Sequence, residues 1–594
     1  MAVHSEPPRE ADRNDSTEES PLLSHVGDAS GNSFGSAANL LEVTKSHSNG
    51  NGIVGNAADE EQNIESSGES SRNPNGFENV ARVISVLLIG IFVAHTDGSI
   101  MLATHPAIAS EFNDLKDSPW LITSFALAGA ATQTLYGKLS DIYGRKPLVL
   151  IAYCFVVVGC IIVGAGQSMW QVVFGRIVSG AGTSGMTALV SVLITDLLPL
   201  REVAQWRAYV NVVATTGRSI GGPSGGWLAD VVGWRWSFLG QAPILGIAII
   251  LCSIYLPGPP PSSPAPSSPS SSSSSAATTN TSKFSRIDIK GSILFATSII
   301  TLLLPLELGG TPQLPWTSPP ILALFTLSIL LLTLFIRVEK RHPEPILPLE
   351  IFHRRDAVLS FLIMGLQTAA QISLMFSVPL YFQVTNRLSN TASGLHLVPA
   401  VVGNAIGGLL AGLAIKKTGR YKALTIFSVT CSSFCYLLLM FRWHGNTNWF
   451  ESLYIIPGGF GTGMAQSALF ISVQVVIPPA HLAPAISFMY LSTTVWLTIG
   501  LPISNAAMQG ALRKGLTARL LGLGLGGAEV QEILANAISD VDYVGRVTGA
   551  IREAIVQSYV DGLWWSHAVS FVSSSTAFVL SLFLKQRRLD APAS

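Results

Sequence analysis

The chain has 594 residues, 48% of them hydrophobic and only 12% charged, about half the charged share of an ordinary soluble domain. Its 36 basic and 36 acidic residues cancel, which excludes a bulk attraction to nucleic acid, and a mean hydropathy of +0.44 excludes an ordinary water-soluble globule. Apolar stretches recur at close to the roughly 20 residues a helix needs to cross a hydrocarbon core, so an all-α polytopic membrane protein is predicted.

Residues 1–78 are rich in Ser, Asn, Gly and Glu and poor in apolar side chains. A disordered tail on the cytosolic side is expected there. It lacks the basic start and short apolar region of a cleaved signal peptide. Within it, EESPLL resembles the acidic dileucine signal [DE]xxxL[LI], by which sorting adaptors route cargo to vacuoles or lysosomes. Glu18, Leu22 and Leu23 occupy the matching positions.

Apolar runs and their flanks then place fourteen spans, near 82–108, 119–137, 148–167, 171–195, 207–230, 236–256, 287–308, 319–337, 357–382, 393–415, 422–441, 451–476, 483–508 and 566–585. With a cytosolic N-terminus, the cytosolic loops collect Lys138, Arg145 and Lys146, then Arg201 and Arg207, then Arg337, Lys340 and Arg341, then Lys416, Lys417 and Arg420. That bias satisfies the positive-inside rule. The expected organisation is a six-helix bundle over 79–256, a low-complexity cytosolic linker over 257–285, two additional helices over 286–340 and a second six-helix bundle over 357–590. A non-cytosolic loop is expected over 510–565.

One polar stretch interrupts the first block. GKLSDIYGRK runs from Gly137 to Lys146, and its outline returns in GLAIKKTGRYK from Gly412 to Lys422. Gly137 matches Gly412, Gly144 matches Gly419 and Arg145 matches Arg420. Each copy joins the second and third spans of its own block, so the chain carries an internal repeat in parallel orientation. GKLSDIYGRK resembles the signature G-x-L-[AS]-D-x-x-G-R-[KR] of the major facilitator superfamily at every defined position. The resemblance implies two six-helix bundles working by alternating access. It makes Gly137, Asp141, Gly144, Arg145 and Lys146 a conformational latch. In the fifth span GRSIGGPSGG is similar to the family's G-x-x-x-G-P-x-G-G antiporter motif, carried by Gly217, Gly221 or Gly222, Pro223, Gly225 and Gly226. In the fourth, GRIVSGAG resembles R-x-x-x-G-x-G, which implicates Arg176 in proton transfer. The likeness covers roughly residues 80–590 and points to the fourteen-span drug:proton antiporter branch, and within it to fungal vacuolar transporters of basic amino acids and their multidrug relatives.

Ionisable groups at membrane depth are costly and mark function. Asp97 in the first span, Arg176 in the fourth and Arg218 in the fifth are such groups, and they are the candidate proton-coupling or substrate-binding residues. Asp97 is the candidate proton carrier; the alternative is a fixed partner of Arg218 or Arg176. An arginine is suited to a substrate carboxylate. The second block holds no carboxylate deep in a span. The five cysteines show no metal spacing and read as small apolar fillers. GLGLGG at Gly522–Gly527 lacks the strand context of a nucleotide site. No nucleophile–base arrangement, no metal-site motif and no cofactor motif is present, so the chain is expected not to be an enzyme.

The expected function is a proton-coupled antiporter moving basic amino acids into the vacuole. The alternative is drug or toxin efflux at the plasma membrane, and a third reading is a nutrient receptor without flux. The expected partners are a small-molecule substrate, protons, the lipid bilayer and a sorting adaptor. If EESPLL is the address, replacing Leu22 and Leu23 with alanine moves a fluorescently tagged chain off the vacuolar membrane under the microscope; an unchanged distribution removes that role.

Overall fold

The computed structural model describes residues 74–114, 117–256, 286–309, 314–539 and 541–589. Residues 1–73 of the expected tail, with Glu18, Leu22 and Leu23, and the linker 257–285 lie outside them; the last five residues of that tail, 74–78, belong to the first helix. Every long element is a helix: α1 Pro74–Glu111, α2 Trp120–Tyr143, α3 Arg145–Gly164, α4 Met169–Leu197, α5 Leu200–Val231 and α6 Trp234–Tyr255. These are followed by α7 Ile289–Leu308, α8 Pro319–Glu339, α9 Arg355–Asn386, α10 Val398–Thr418, α11 Lys422–Arg442, α12 Ile456–Val476, α13 Leu482–Gly522 and α14 Gly549–Leu582. In lipid a helix satisfies its own backbone groups, which is why the apolar runs settle into this form.

By length and composition, ten helices among the described residues are fit to cross a membrane. The expected count of fourteen spans is not reached on that measure. Those that fall short are α2, α5, α12 and α14. Their hydropathy is lowered by Gly, Ser, Thr and Gln, many of which face other helices, and in α5 also by Arg207, Asn211 and Arg218 on the cavity side. In α14, for instance, Ser566, Ser570, Ser574 and Ser581 are all buried, and Ser566 shares hydrogen bonds with Ser373 of α9 and Ser504 of α13.

The boundary expectations change in two places. The stretch 510–565, expected as a loop, is largely helical. α13 has 41 residues, about 60 Å at 1.5 Å per residue against a hydrocarbon core of about 30 Å. Its far end buries Leu512, Leu516 and Leu520, spaced by four, with Ile555, Tyr559 and Leu563 of α14 and Val530, Ile533 and Leu534 of the short helix Gly527–Ser539. The Gly522–Gly527 stretch is the turn between two helices of this cap. The second change is α5, which starts seven residues before the expected span and draws Arg207 out of the loop into the helix.

Within the first six helices α1 packs on α5, α3 on α4 and α2 on α4; within the last six α10 packs on α12, α9 and α13 on α14, and α11 on α12. Beside smaller contacts of α5 with α12 and of α4 with α13, two main crossings join the halves, α2 with α13 and α5 with α10. They exchange when the second helix of one half is matched to the second of the other, and the fifth to the fifth. The repeated glycines sit at these crossings. A Cβ on Gly137 would lie 2.8 Å from the Ala483 carbonyl oxygen of α13, and one on Gly412 would lie 2.8 Å from the Ala204 oxygen of α5. Gly144 (φ 94°) and Gly419 (φ 66°) make the turns that follow, in the backbone region glycine enters without strain.

The latch residues form a network at the same face. Arg145 pairs with Asp141 at 2.6 Å and with Asp196 at the end of α4 at 2.8 Å. Lys146 donates to the Ser253 and Leu256 carbonyls at the end of α6. The additional helices α7 and α8 pair with each other, and α7 rests on both α2 and α13, over the seam between the halves. Glu344, in the loop after α8, joins Lys138 at 3.2 Å to Arg286 at 2.8 Å. A valine at Gly137 would wedge the α2–α13 crossing. Overpacking of about 1–3 kcal/mol should hold the latch face apart, so that a cysteine placed at Thr187 in the cavity gains thiol-reagent access from that face. Unchanged labelling would mean the crossing does not seal it.

Candidate functional site

α1 and α4 bring Asp97 and Arg176 together. Arg176 Nη1 donates to Asp97 Oδ2 at 2.6 Å, and the two side chains are essentially sealed, at 0% and 2% exposure. The other carboxylate oxygen accepts from Gln241 Nε2 of α6 at 3.4 Å. Arg176 Nε donates to the Leu121 carbonyl at 3.2 Å, and its guanidinium lies over the Phe125 ring at 4.1 Å. The approach of α4 to α2 depends on Gly180, whose Cβ would fall 2.4 Å from the Phe125 carbonyl oxygen. A buried charge in lipid needs such a partner and its remaining hydrogen bonds.

Arg176 forms part of the wall of a cavity of about 500 Å³ between the two halves, and Asp97 stands behind it, off the wall. The latch-face end is closed. There Ser191 of α4 and Tyr490 of α13 share a hydrogen bond at 2.6 Å. Arg207 of α5 donates to Ser191 Oγ at 2.8 Å and lies over Phe470 of α12 at 4.3 Å and Tyr490 at 5.6 Å. Midway, Asn211 donates to Asn404 of α10 at 2.7 Å and ties the halves together. The opposite end is open: Leu102 and Leu497 on its rim are 60% and 40% exposed. A second groove of about 400 Å³, lined by Leu135, Leu139, Ile151 and Phe155 among others, has no charged side chain.

Arg218 lies on the cavity wall beside His95 and joins neither Asp97 nor Arg176. Of the two partners considered for Asp97, the structure supplies Arg176. The glycine motif of α5 also reads differently in three dimensions. Gly217, Gly221 and Gly225 form the contact stripe, their Cβ positions 2.7 Å from Phe92 O, 2.6 Å from Thr96 O and 3.0 Å from Ile100 Cα of α1. Gly222 and Gly226 would meet nothing within 4 Å, and Pro223 sits inside the helix. The reason is the helical period: a face repeats at four and eight residues, so 217 selects 221 and 225.

Sequence reasoning missed Arg207, counted as a loop charge, and the Asn211–Asn404 tie. The signal was present as spacing. Arg207, Asn211, Ala214 and Arg218 recur at intervals of four, three and four, the stripe of one helical face, and all four line the cavity.

Residues 87–501 match the family model of the Major Facilitator Superfamily. The chain belongs to that superfamily. It is 31% identical over 511 residues to the vacuolar membrane amino acid uptake transporter fnx2 of Schizosaccharomyces pombe, covering 86% of this chain and 85% of that one. It is 28% identical to the multidrug resistance protein fnx1 of the same yeast, over 85% of this chain and 92% of fnx1. The vacuolar basic amino acid transporter 2 of Saccharomyces cerevisiae is 27% identical, over 78% of this chain and 97% of its own length. Among solved structures, the proton:xylose symporter XylE superposes with a TM-score of 0.56 over 86% of this chain and 98% of XylE, at 12% identity; at that identity the likeness concerns the fold. The superfamily is one of transporters and not of enzymes, and this member is a multi-pass membrane protein.

Removing one member of the ion pair leaves the other charge buried inside the protein without its partner. Asp97→Asn should destabilise the protein by about 3–5 kcal/mol, read as a lower unfolding temperature in detergent. Asp97→Asn combined with Arg176→Gln should recover part of it. A double variant no better than the single would show that the pair is not the stabilising contact.

Proposed function

We propose that this chain is a proton-coupled antiporter that moves amino acids, basic ones first among them, from the cytosol into the vacuole by alternating access. The observation that carries the reading is a cavity between two related halves, closed at the latch face, with a sealed carboxylate–guanidinium pair in its wall. The names of the fnx2 and basic amino acid transporter relatives support the substrate class and the membrane.

Coupling follows from charge. With Asp97 ionised, the pair contributes no net charge to the cavity. A proton on Asp97 leaves Arg176 an uncompensated cation on the wall. In a site shielded from water, two like charges repel strongly, so the protonated form disfavours a cationic substrate. Proton and substrate then exclude one another, which is the requirement for antiport. The closing of the cavity on the latch face and its reopening on the other side supply the alternation. A second reading, export of drug-like molecules by the same machinery, draws support from the apolar rim of Leu102, Ile122 and Leu497 and from the fnx1 relative.

The test is uptake of radiolabelled lysine, arginine and histidine by purified protein in vesicles with an acidic interior. Uptake that a protonophore collapses is expected. Binding without uptake would favour a receptor, and export of a drug panel with neither binding nor uptake of amino acids would favour the second reading.

A further inference from the structure

The charge inventory of the cavity is one-sided. Three arginines line it, Arg176, Arg207 and Arg218, and among the described residues of its wall there is no aspartate or glutamate. Arg176 is neutralised by Asp97. Among the described residues the other two have no acidic partner. Arg207 is 7% exposed, makes one side-chain hydrogen bond, to Ser191, and keeps a buried Nε without an acceptor. Arg218 lines the wall as an exposed side chain. Both belong to α5, eleven residues apart. Eleven residues turn a helix through just over three full turns and rise about 16 Å, so the two guanidinium groups share one face at opposite ends of the cavity. Arg207, buried and without an acidic partner, is a standing demand for an anion, while Arg218, exposed into the cavity, is open to meet one, and a guanidinium matches a carboxylate with two parallel hydrogen bonds.

We infer that Arg207 and Arg218 are two carboxylate stations, and that a carboxylate is an obligatory feature of whatever this cavity transports. The inference rests on the transporter reading and names the part of the substrate that is recognised. Arg218 faces the open end, where an arriving carboxylate would meet it first. Arg207 is covered by Phe470 and Tyr490, both from the second half. When the halves part at the latch face, those rings withdraw and its spare donor meets a carboxylate arriving from that side. A cationic molecule without a carboxylate gains nothing at either station and is repelled by both.

The experiment compares lysine with two close relatives that lack the anion, lysinamide and cadaverine, as competitors of labelled lysine uptake by the full-length protein in vesicles. Lysine should compete at least about tenfold better than either, the scale set by losing a charge-assisted hydrogen bond. Arg218→Gln and Arg207→Gln should each raise KM for lysine by a similar factor and narrow the preference for lysine over cadaverine. Arg218→Lys should restore part of it. A bracing role for Arg207 alone would instead lower the rate and leave that preference intact. Cadaverine competing as well as lysine, or both glutamine variants keeping the full preference, overturns the inference. If no amino acid is transported, ligand-induced thermal stabilisation of the purified protein decides separately. Stabilisation by lysine and not by cadaverine keeps the carboxylate stations and sinks only the flux. Equal shifts, or none with either, reject the stations.

Discussion

The two helix crossings at Gly137 and Gly412 are the constraint on which the rest of the structure depends. Each brings a helix of one half against a helix of the other at backbone distance, where a side chain would collide with a carbonyl oxygen. Without a hydrophobic drive between helices in lipid, such close approach is what makes packing favourable. These closest approaches lie at the latch face, and the α5–α10 contact runs on as far as the Asn211–Asn404 tie, so the halves meet at one end and part at the other. The cavity, its closed floor of Ser191, Arg207 and Tyr490, and its open rim all follow from that asymmetry.

Inside that frame the membrane sorts the charges into two kinds. Asp97 and Arg176 satisfy one another, with Gln241, Leu121 and Phe125 completing the shell. Such a pair is tolerated because both partners are present, and its role lies in what changes when one is neutralised. Arg207 and Arg218 are the other kind. Nothing in the wall compensates them, so their charge is available to the contents of the cavity. A single fold thus holds one pair of ions satisfied within the protein and two arginines that line its cavity without an acidic neighbour in the wall.

Much of this was legible in the sequence, and the misses have definite causes. Apolar runs and loop charges marked the helices, since lipid admits little else. The repeat of Gly137 in Gly412 announced two related halves. The contact glycines of α5 were legible only through the helical period, because a linear motif counts Gly222 and Gly226 alongside Gly221 and Gly225 while a helix turns them away. Arg207 was hidden by the edge of its apolar run: the helix extends two turns past the point where hydropathy falls, and Arg207 there lies over Phe470 and Tyr490 rather than in water. Pairing across the halves, such as Asn211 with Asn404, joins residues nearly two hundred positions apart and left no local trace. The cap over 510–565 was masked by composition, because its helices bury leucines against one another while staying polar outside.

The additional helices α7 and α8 show which bonds hold the latch face and which merely accompany it. Glu344 links Lys138 of the latch to Arg286 before α7. The hydrogen bonds from Arg286, aided by Lys138, hold the Glu344 carboxyl below its ordinary range. A lowered carboxyl keeps its pairing above the ordinary glutamate value and loses it only as pH falls through the lower folded one, so the link stays charged at any neutral pH. Yet its members are a fifth to nearly a half exposed, and exposed pairs contribute little and are screened by salt. The clasp therefore orients the loop after α8 rather than holding the halves. What α7 adds is position: it lies on α2 and α13 together, across the crossing that Gly137 makes possible. A helix bridging both sides of a seam must slide or tilt whenever the seam opens. The two additional helices are thus tied to both halves by packing at the Gly137 crossing, and the salt link only orients the loop that follows them.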